Sequence, residues 1–367
     1  MLGSRQQRFQ RLGPDCRTLA CSFRWAFAPV KTPEPGSSER IRGTCQDGTM
    51  TSAELESARA GDESAFASLI APFRRELHVH CYRIVGSVDD ADEVMQEVLL
   101  AAWQGLPGFE GRSSLRTWLY RIATTRSLNM RREQGRRPRP APPPPFELPA
   151  PGDRFELGYL QPYPEVLLSE LDPAARAVAR ETIELAFVVA LQRMPPRQTA
   201  VLILCDVLAF TAAEAADMLS ISSTAVKGLL QRARSAKPSP APRVNSTGYL
   251  ELARQFADAF SRDDVDAVLA LLTDECWLAM PPAVESYVGR DAVGDFLRAS
   301  ASGRPGGSYT LLPVQAGGRP AFVCYLQGRA RGLMVIEPSL DGHRIESIMR
   351  FLDDRLHRHF GTPDTLH

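Results

Sequence analysis

The stretch Val88–Arg132, VDDADEVMQEVLLAAWQGLPGFEGRSSLRTWLYRIATTRSLNMRR, reverses its charge halfway along. From Ile84 to Gly111 there is no basic residue, and the acids are Asp89, Asp90, Asp92, Glu93, Glu97 and Glu110. From Arg112 to Arg139 nine arginines (112, 116, 121, 126, 131, 132, 136, 137, 139) face one acid, Glu133. Both halves carry apolar residues at helical spacing: Val94, Val98, Leu99 and Trp103 in the acidic half, Leu115, Trp118, Leu119 and Ile122 in the basic half. Pro107-Gly108 separates them, and Ser113 or Ser114 is a suitable N-cap for the second helix. An acidic helix followed at once by a basic one points to two different partners for one small domain. The plainer alternative is two solvated faces that pair with each other.

Aromatic residues interleave with the arginines. Base stacking on aromatic rings, combined with arginine contacts to phosphates, is how single strands are held. Trp118 shares a face with Leu115 and Ile122 and reads as core, whereas Tyr120 on the helix and Phe109 before it read as better stacking candidates.

Upstream, Phe66, Leu69, Ile70, Phe73, Leu77 and Cys81 predict a further helix that ends at Gly86-Ser87, so residues 51–135 form one helical domain. Residues 1–50 are Arg-rich and irregular, without the apolar run of a secretory signal. They read as a disordered extension, with Met50 an alternative start. Residues 136–170 read as a linker in which Pro142 to Pro145 are consecutive, a composition that favours extended polyproline II. Residues 171–237 are helical again: Ile183, Phe187, Ala190, Leu191 and Met194 make one stripe, stopped by Pro195-Pro196. A second linker spans 238–246.

Within Phe210–Arg234 lies a helix-turn-helix pattern. Thr211 and Glu214 make a capping box, Ala215 and Ala216 are small enough for close helix approach, and Ser220-Ile221-Ser222 makes the turn. The second helix sets Val226, Leu229 and Leu230 inward and leaves Ser223, Thr224, Lys227, Gln231, Arg232 and Arg234 for outward contact. Short polar groups near its start and basic groups behind them suit base edges and phosphates respectively. A generic helical hairpin is the rival reading; Ser220 in place of a turn glycine, and Gly228 within the second helix, weigh toward it.

Residues 247–355 differ in kind. Two helical segments precede strand-like runs at 276–280, 308–314, 321–326, 333–336 and 344–351, and Asp341-Gly342 signals a hairpin between the last two. This is an α+β pattern, followed by a tail at 356–367.

At 367 residues the chain has room for two or three domains of roughly 150 residues. Lysine plus arginine equals aspartate plus glutamate at 43 each, so the net charge is zero, which on average argues against a nucleic-acid ligand. The sign reversal above removes that argument. No apolar run approaches the roughly 20 residues of a membrane span. The seven cysteines form no CxxC pair and join no histidine cluster, so they read as reduced thiols in a cytoplasmic protein, with no metal and no cofactor.

The motif Asp90-Ala91-Asp92-Glu93-Val94-Met95-Gln96-Glu97 resembles the polymerase-core-binding signature of the sigma-70 family, with its two acids exchanged. Phe109 to Ala123, FEGRSSLRTWLYRIA, is similar to the promoter-melting part of region 2 in extracytoplasmic-function sigma factors, and Leu229-Leu230-Gln231-Arg232-Ala233-Arg234 looks like the end of region 4. Pro162-Tyr163-Pro164 and the added α+β domain resemble the branch carrying a SnoaL-like domain. The resemblance spans about residues 60–355. It implies all-α region 2 and region 4 domains followed by an α+β NTF2/SnoaL-like domain. It further implies an alternative sigma initiation factor, not an enzyme, whose partners are core RNA polymerase and promoter DNA, with no membrane. Asp89, Asp90, Asp92, Glu93, Gln96 and Glu97 would bind a coiled coil of the largest polymerase subunit. Phe109, Arg112, Arg116, Tyr120, Arg121, Arg126, Asn129 and Arg132 would hold the melted −10 element, with a base flipped out of its stack. Ser223, Thr224, Lys227, Gln231, Arg232 and Arg234 would read the −35 duplex.

The C-terminal domain is expected to modulate activity, through a small ligand or an intramolecular contact. Trp277, Met280, Tyr287, Tyr325, Met334 and Met349 would line a pocket or fill a core. Asp274 and His343 are the acid/base candidates should it be an enzyme, but neither looks enclosed. The rival for the whole chain is a one-component helix-turn-helix regulator with a ligand domain, which accounts for residues 200–355 but not for the paired acidic and basic helices.

Overall fold

The computed structural model describes residues 52–134, 147–149, 151, 153–154, 160–236, 246–281, 283 and 285–366. The expectations for residues 1–50, for the proline run and for residues 238–245 lie outside them. The chain begins with α1 (Ser52–Arg59), α2 (Glu63–Val85), α3 (Val88–Gly105) and α4 (Leu115–Gln134). Asp62 and Ser87 accept backbone N–H groups at the starts of α2 and α3, and Ser114 Oγ accepts from Thr117 N at 3.0 Å to cap α4. Gly86 ends α2 in the left-handed region, with φ +81°, and a side chain there would meet Gln192.

Next come α5 (Pro173–Thr182), α6 (Leu185–Arg193), α7 (Pro196–Leu202), a π turn at Ile203–Val207, α8 (Ala212–Leu219) and α9 (Ser223–Ala236). The stripe expected from Ile183 to Met194 is cut at Ile183-Glu184, where α5 gives way to α6. The capping box of Thr211 and Glu214 forms as read. Ser220 takes the left-handed conformation, φ +52°, at the turn where glycine is common.

The remainder holds α10 (Ser246–Ser261), α11 (Val265–Leu271), β2 (Leu272–Ala279), β3 (Glu285–Val288), α12 (Arg290–Gly303), β4 (Tyr309–Ala316), β5 (Arg319–Leu326), β6 (Arg329–Pro338) and β7 (Ile345–Phe351). A two-residue strand from the linker, β1 (Asp153–Arg154), joins β3, and the sheet runs β1-β3-β2-β7-β6-β5-β4. Among the described residues only β2 and β7 pair in parallel. The strands β1 and β3 escaped the sequence reading because four residues or fewer show no clear alternation.

Side chains alternate between the two faces of a strand, and here both faces are apolar. Leu278, Phe322, Cys324, Met334, Ile336 and Ile348 pack with Phe256, Val268 and Phe296 of the C-terminal helices. Trp277, Ala321, Val323, Tyr325, Val335, Met349 and Phe351 belong instead to a core shared with Leu185, Val188 and Val189 of α6 and with Leu160 and Tyr163 of the linker. The six residues expected to line a pocket or fill a core divide between the two faces: Met280, Tyr287 and Met334 face the helices, while Trp277, Tyr325 and Met349 face the first half of the chain. All six are buried, and they fill two cores. Cys81, Cys276 and Cys324 are buried thiols; burial pushes Cys81 up to about 12 and Cys276 up to about 11.

Tyr163 joins the halves. It is fully buried against Tyr82 and His78, its hydroxyl sits 2.9 Å from His78 Nδ1, and its carbonyl accepts from Gly317 N of the β4–β5 turn at 2.9 Å. Tyr163→Ala should cost roughly 3 kcal/mol or more, read as a lowered urea midpoint, because it opens a cavity where three elements meet. An unchanged midpoint would show that the linker does not hold the halves together.

Candidate nucleic-acid interface

Helix α3 presents one acidic face. Asp92, Glu93, Gln96 and Glu97 are exposed, and Val94, Met95 and Val98 are buried behind them. Asp90 is buried and Asp89 half-buried, so the expected set of six divides into four open residues and two covered ones. Leu100 is 57% exposed one turn beyond Gln96 and Glu97. An exposed leucine on that face was not singled out from sequence, although its i, i+4 spacing from Gln96 was there to be found.

Two groups from elsewhere in the chain cover the start of α3. Gln161 accepts from Ser87 Oγ and from the backbone N–H groups of Val88 and Asp89, each at 3.0 Å, and donates to Asp89 Oδ2 at 2.8 Å. A linker side chain thus supplies the acceptor that the first turn of a helix lacks. On the other side His359 Nε2 lies 2.7 Å from Asp89 Oδ1, with Nδ1 3.9 Å from Asp92. The hydrogen bond to Asp89 raises the His359 pKa above its ordinary 6.5, against the opposing effect of burial. Burial works to raise the Asp92 carboxyl, but His78, 3.0 Å away, and His359 hold it below the usual carboxylate range.

His359 sits on a segment that the sequence reading treated as a tail. Leu356 and Phe360 anchor it in the shared core, Tyr325 Oη donates to Pro363 O at 2.7 Å, and Leu366 N donates to Gly328 O at 2.7 Å. The four-residue spacing of Leu356 and Phe360 was the available signal.

The basic helix α4 is covered along much of its length. Tyr120 is fully buried between His80 and Phe210, so it offers no stacking surface in this arrangement. Phe109 is also buried and packs against Trp118, which is only partly buried. The order expected for these three rings is reversed. Tyr120, Ala123, Thr124 and Ser127 form a second buried stripe on α4 that its apolar residues alone do not announce.

Arg116 lies over the Tyr120 and Phe210 rings, 4.7 and 5.1 Å from their centroids, with Glu76 at 3.4 Å. Arg121 is 3.8 Å from Asp217 of α8, and Arg126 is 3.7 Å from Glu97 of α3. Arg112 is highly exposed beside Glu110, while Asn129 and Arg132 are exposed and bonded to each other at 3.3 Å. Arg131 is a clamp: it donates to the carbonyls of Leu191, Gln192 and Met194 at 2.7–3.0 Å and so caps the end of α6, with burial lowering it to about 10.

Helix α9 keeps its outward row open. Ser223, Thr224, Lys227, Gln231, Arg232 and Arg234 are all exposed, and Val226 and Ala233 are buried beneath. Arg234 is tied to Asp206 at 2.7 Å, which fixes the far end of the row.

The C-terminal domain has two perturbed carboxylates. Burial, helped by Glu337 and Glu275, pushes Glu346 up to about 7, and burial raises Glu337 against the pull of Arg319 at 2.8 Å. Together with Leu185, Val189 and Trp277 they border a void of about 30 Å³ under α6, which is room for a water molecule and not for a substrate. Asp274 lies within β2, which starts four residues earlier than the expected 276–280, and His343 lies beside the β6–β7 turn; both are exposed. Among the described residues no group of three or more His, Cys, Asp or Glu side chains is arranged to hold a metal ion, and no helix is long and apolar enough to cross a membrane.

Comparison with known proteins accords with this geometry. Residues 69–137 match the Sigma-70 region 2 family model, 184–236 match Sigma-70, region 4, and 253–359 match the SnoaL-like domain. The chain is 40% identical over 326 residues to the ECF RNA polymerase sigma factor SigG of Mycobacterium tuberculosis, covering 84% of this chain and 86% of that one. It is 27% identical over 234 residues to SigJ of the same organism, covering 61% and 69%. The crystal structure of Mycobacterium tuberculosis SigJ has the same fold, with a TM-score of 0.52 at 21% identity, covering 82% of this chain and all of that one. Regions 2 and 4, the SnoaL-like domain and the relationship to SigG together establish that the chain belongs to the extracytoplasmic-function sigma factors of the sigma-70 family, alternative initiation factors that bind core RNA polymerase and promoter DNA.

Proposed function

We propose that the described arrangement is a closed, storage form of this sigma factor, and that each exposed or covered face has its own partner. The face of Asp92, Glu93, Gln96, Glu97 and Leu100 docks on core polymerase; Asp89 and Asp90 shape its start. Arg112, Arg116, Arg121, Arg126, Asn129 and Arg132, with Trp118, Phe109 and, once Phe210 has moved away, Tyr120, hold the melted −10 strand. Ser223, Thr224, Lys227, Gln231, Arg232 and Arg234 read the −35 duplex. The chain performs no chemistry, and it acts in the cytoplasm with the polymerase.

The contact between α4 and region 4 carries this reading. Tyr120 packs on Phe210 with centroids 5.4 Å apart, and Arg121 reaches Asp217. The −10 and −35 elements are more than two turns of duplex apart, roughly 70 Å or more along the axis. Helices that touch each other cannot reach both elements at once, so α4 and the α8–α9 pair must separate on the promoter. The SnoaL-like domain opposes that separation, because its sheet packs on α6 and its last segment covers Asp89.

Run-off transcription with purified core polymerase tests the assignment. Asp92→Lys with Glu97→Lys should weaken core binding about tenfold or more with unchanged circular dichroism; unaltered affinity would remove α3 from the polymerase interface. Lys227→Ala or Arg232→Ala should lower −35-dependent output and reduce the salt slope of promoter binding by about one. A loss confined to the −10 element would contradict the reading of α9.

The closed form should also loosen as pH rises. Glu346 stabilises docking only while protonated: its contribution is full below the ordinary 4.5 and is lost as pH rises through about 7. His359 contributes fully below 6.5, and that contribution is lost as pH rises through its raised value. Both signs agree. Core binding should therefore strengthen as pH rises from about 4.5 through about 7, and further as it rises above 6.5 through the raised value of His359; Glu346→Gln with His359→Gln should flatten that dependence. An equally steep profile in the double variant would exclude these two groups as its cause.

A further inference from the structure

A cleft of about 1030 Å³ lies between α5, α10 and the β4–β5 hairpin. We propose that it binds a neutral, largely apolar small molecule carrying a hydrogen-bond acceptor, and that the occupant holds the closed form together. The space between the sheet and its own helices is filled, so the cavity of this domain lies elsewhere, at its junction with region 4. Its walls come from both sides: Ala177 and Arg180 of α5, Ala253 and Ala257 of α10, Pro313 of β4 and Phe322 of β5. Its size is that of a site for a drug-sized ligand.

Three observations give the occupant its chemistry. Tyr249 lines the cleft with only 9% of its surface exposed, and its hydroxyl has no hydrogen-bond partner among the described residues. A buried hydroxyl left without a partner is costly, and a ligand oxygen would accept its proton. Leu250 and Leu340, on the border of the cleft, are 59% and 58% exposed, apolar surface that a ligand would cover. Every arginine of the cleft is already paired: Arg319 with Glu337 at 2.8 Å and Glu184 at 3.7 Å, Arg254 with Asp258 at 2.9 Å, Arg180 with Glu165 at 3.6 Å. An anionic ligand would have to break one of these pairs and face acids that outnumber the arginines, whereas a neutral one leaves the pairs intact.

Because α5 supplies one wall and the SnoaL-like domain the other, the site is complete only while the two are docked. A ligand that binds one arrangement shifts the population toward it, so occupancy would oppose polymerase binding. This coupling rests on the closed-form reading above; the site itself does not.

Nile red, a neutral apolar dye with a carbonyl acceptor, tests both. With the full chain its fluorescence should rise and saturate at one dye per chain. Tyr249→Phe, which deletes only the hydroxyl, should weaken binding about five- to tenfold. Ala257→Trp, which fills the cleft from a half-buried position, should abolish it, and Leu250→Glu at the border should weaken it without repacking the core. No saturable signal, or equal signals from all four proteins, would overturn the site. Excess dye should weaken core polymerase binding by the native chain and not by Ala257→Trp. Saturable dye binding at the cleft with unchanged polymerase affinity would overturn the coupling and leave the site standing.

Discussion

A sheet whose two faces are both apolar must be covered twice. In the SnoaL-like domain the helices α10, α11 and α12 cover one face, and the last segment, through Leu356 and Phe360, covers part of the other. Trp277, Val323, Val335, Met349 and Phe351 share their core there with α6 and the linker. Each such side chain contributes roughly 1.5–3 kcal/mol when fully buried, whereas an exposed ion pair contributes about 0–1 kcal/mol. The apolar face therefore supplies the attraction. Gln161, Tyr163 and His359 set the orientation, since each makes directional bonds across the junction.

Docking of that face has unequal consequences for the three surfaces proposed to meet nucleic acid and polymerase. The row on α9 stays open, the acidic face of α3 is covered at its first turn, and α4 is covered most, by Phe210, Asp217 and the end of α6. Any partner that needs α4 has to displace region 4. Moving a population from 1:99 to 99:1 takes about 5.5 kcal/mol of differential binding, which a polymerase and a promoter together can supply. Groups that weaken the docked form, such as a deprotonated Glu346, reduce that requirement.

Local signals in the sequence were enough for much of this. The sign reversal at Arg112, the capping box at Thr211 and the Asp341-Gly342 turn are short-range features, and each appears in the structure. What escaped depends on contacts between distant segments. Tyr120 read as a stacking ring because one apolar stripe on α4 already ran through Leu115 and Leu119; the second stripe uses Ala123, Thr124 and Ser127, whose small polar and apolar side chains signal burial only once region 4 is in place. The six candidate pocket residues alternate along strands, so a count of large side chains could not tell which face each would take. Gln161 has no local pattern at all, since its partners lie more than seventy positions away.

In the closed form we propose, α4 and the α8–α9 pair are held together in the free chain and part on the promoter. Spin labels introduced as unnatural side chains at Thr125 and Gln231, both exposed, report this distance directly. A single short distance is expected in the free protein, lengthening toward the spacing of the two promoter elements, roughly 70 Å, when core polymerase and promoter DNA are bound. The same distance in both states would contradict it.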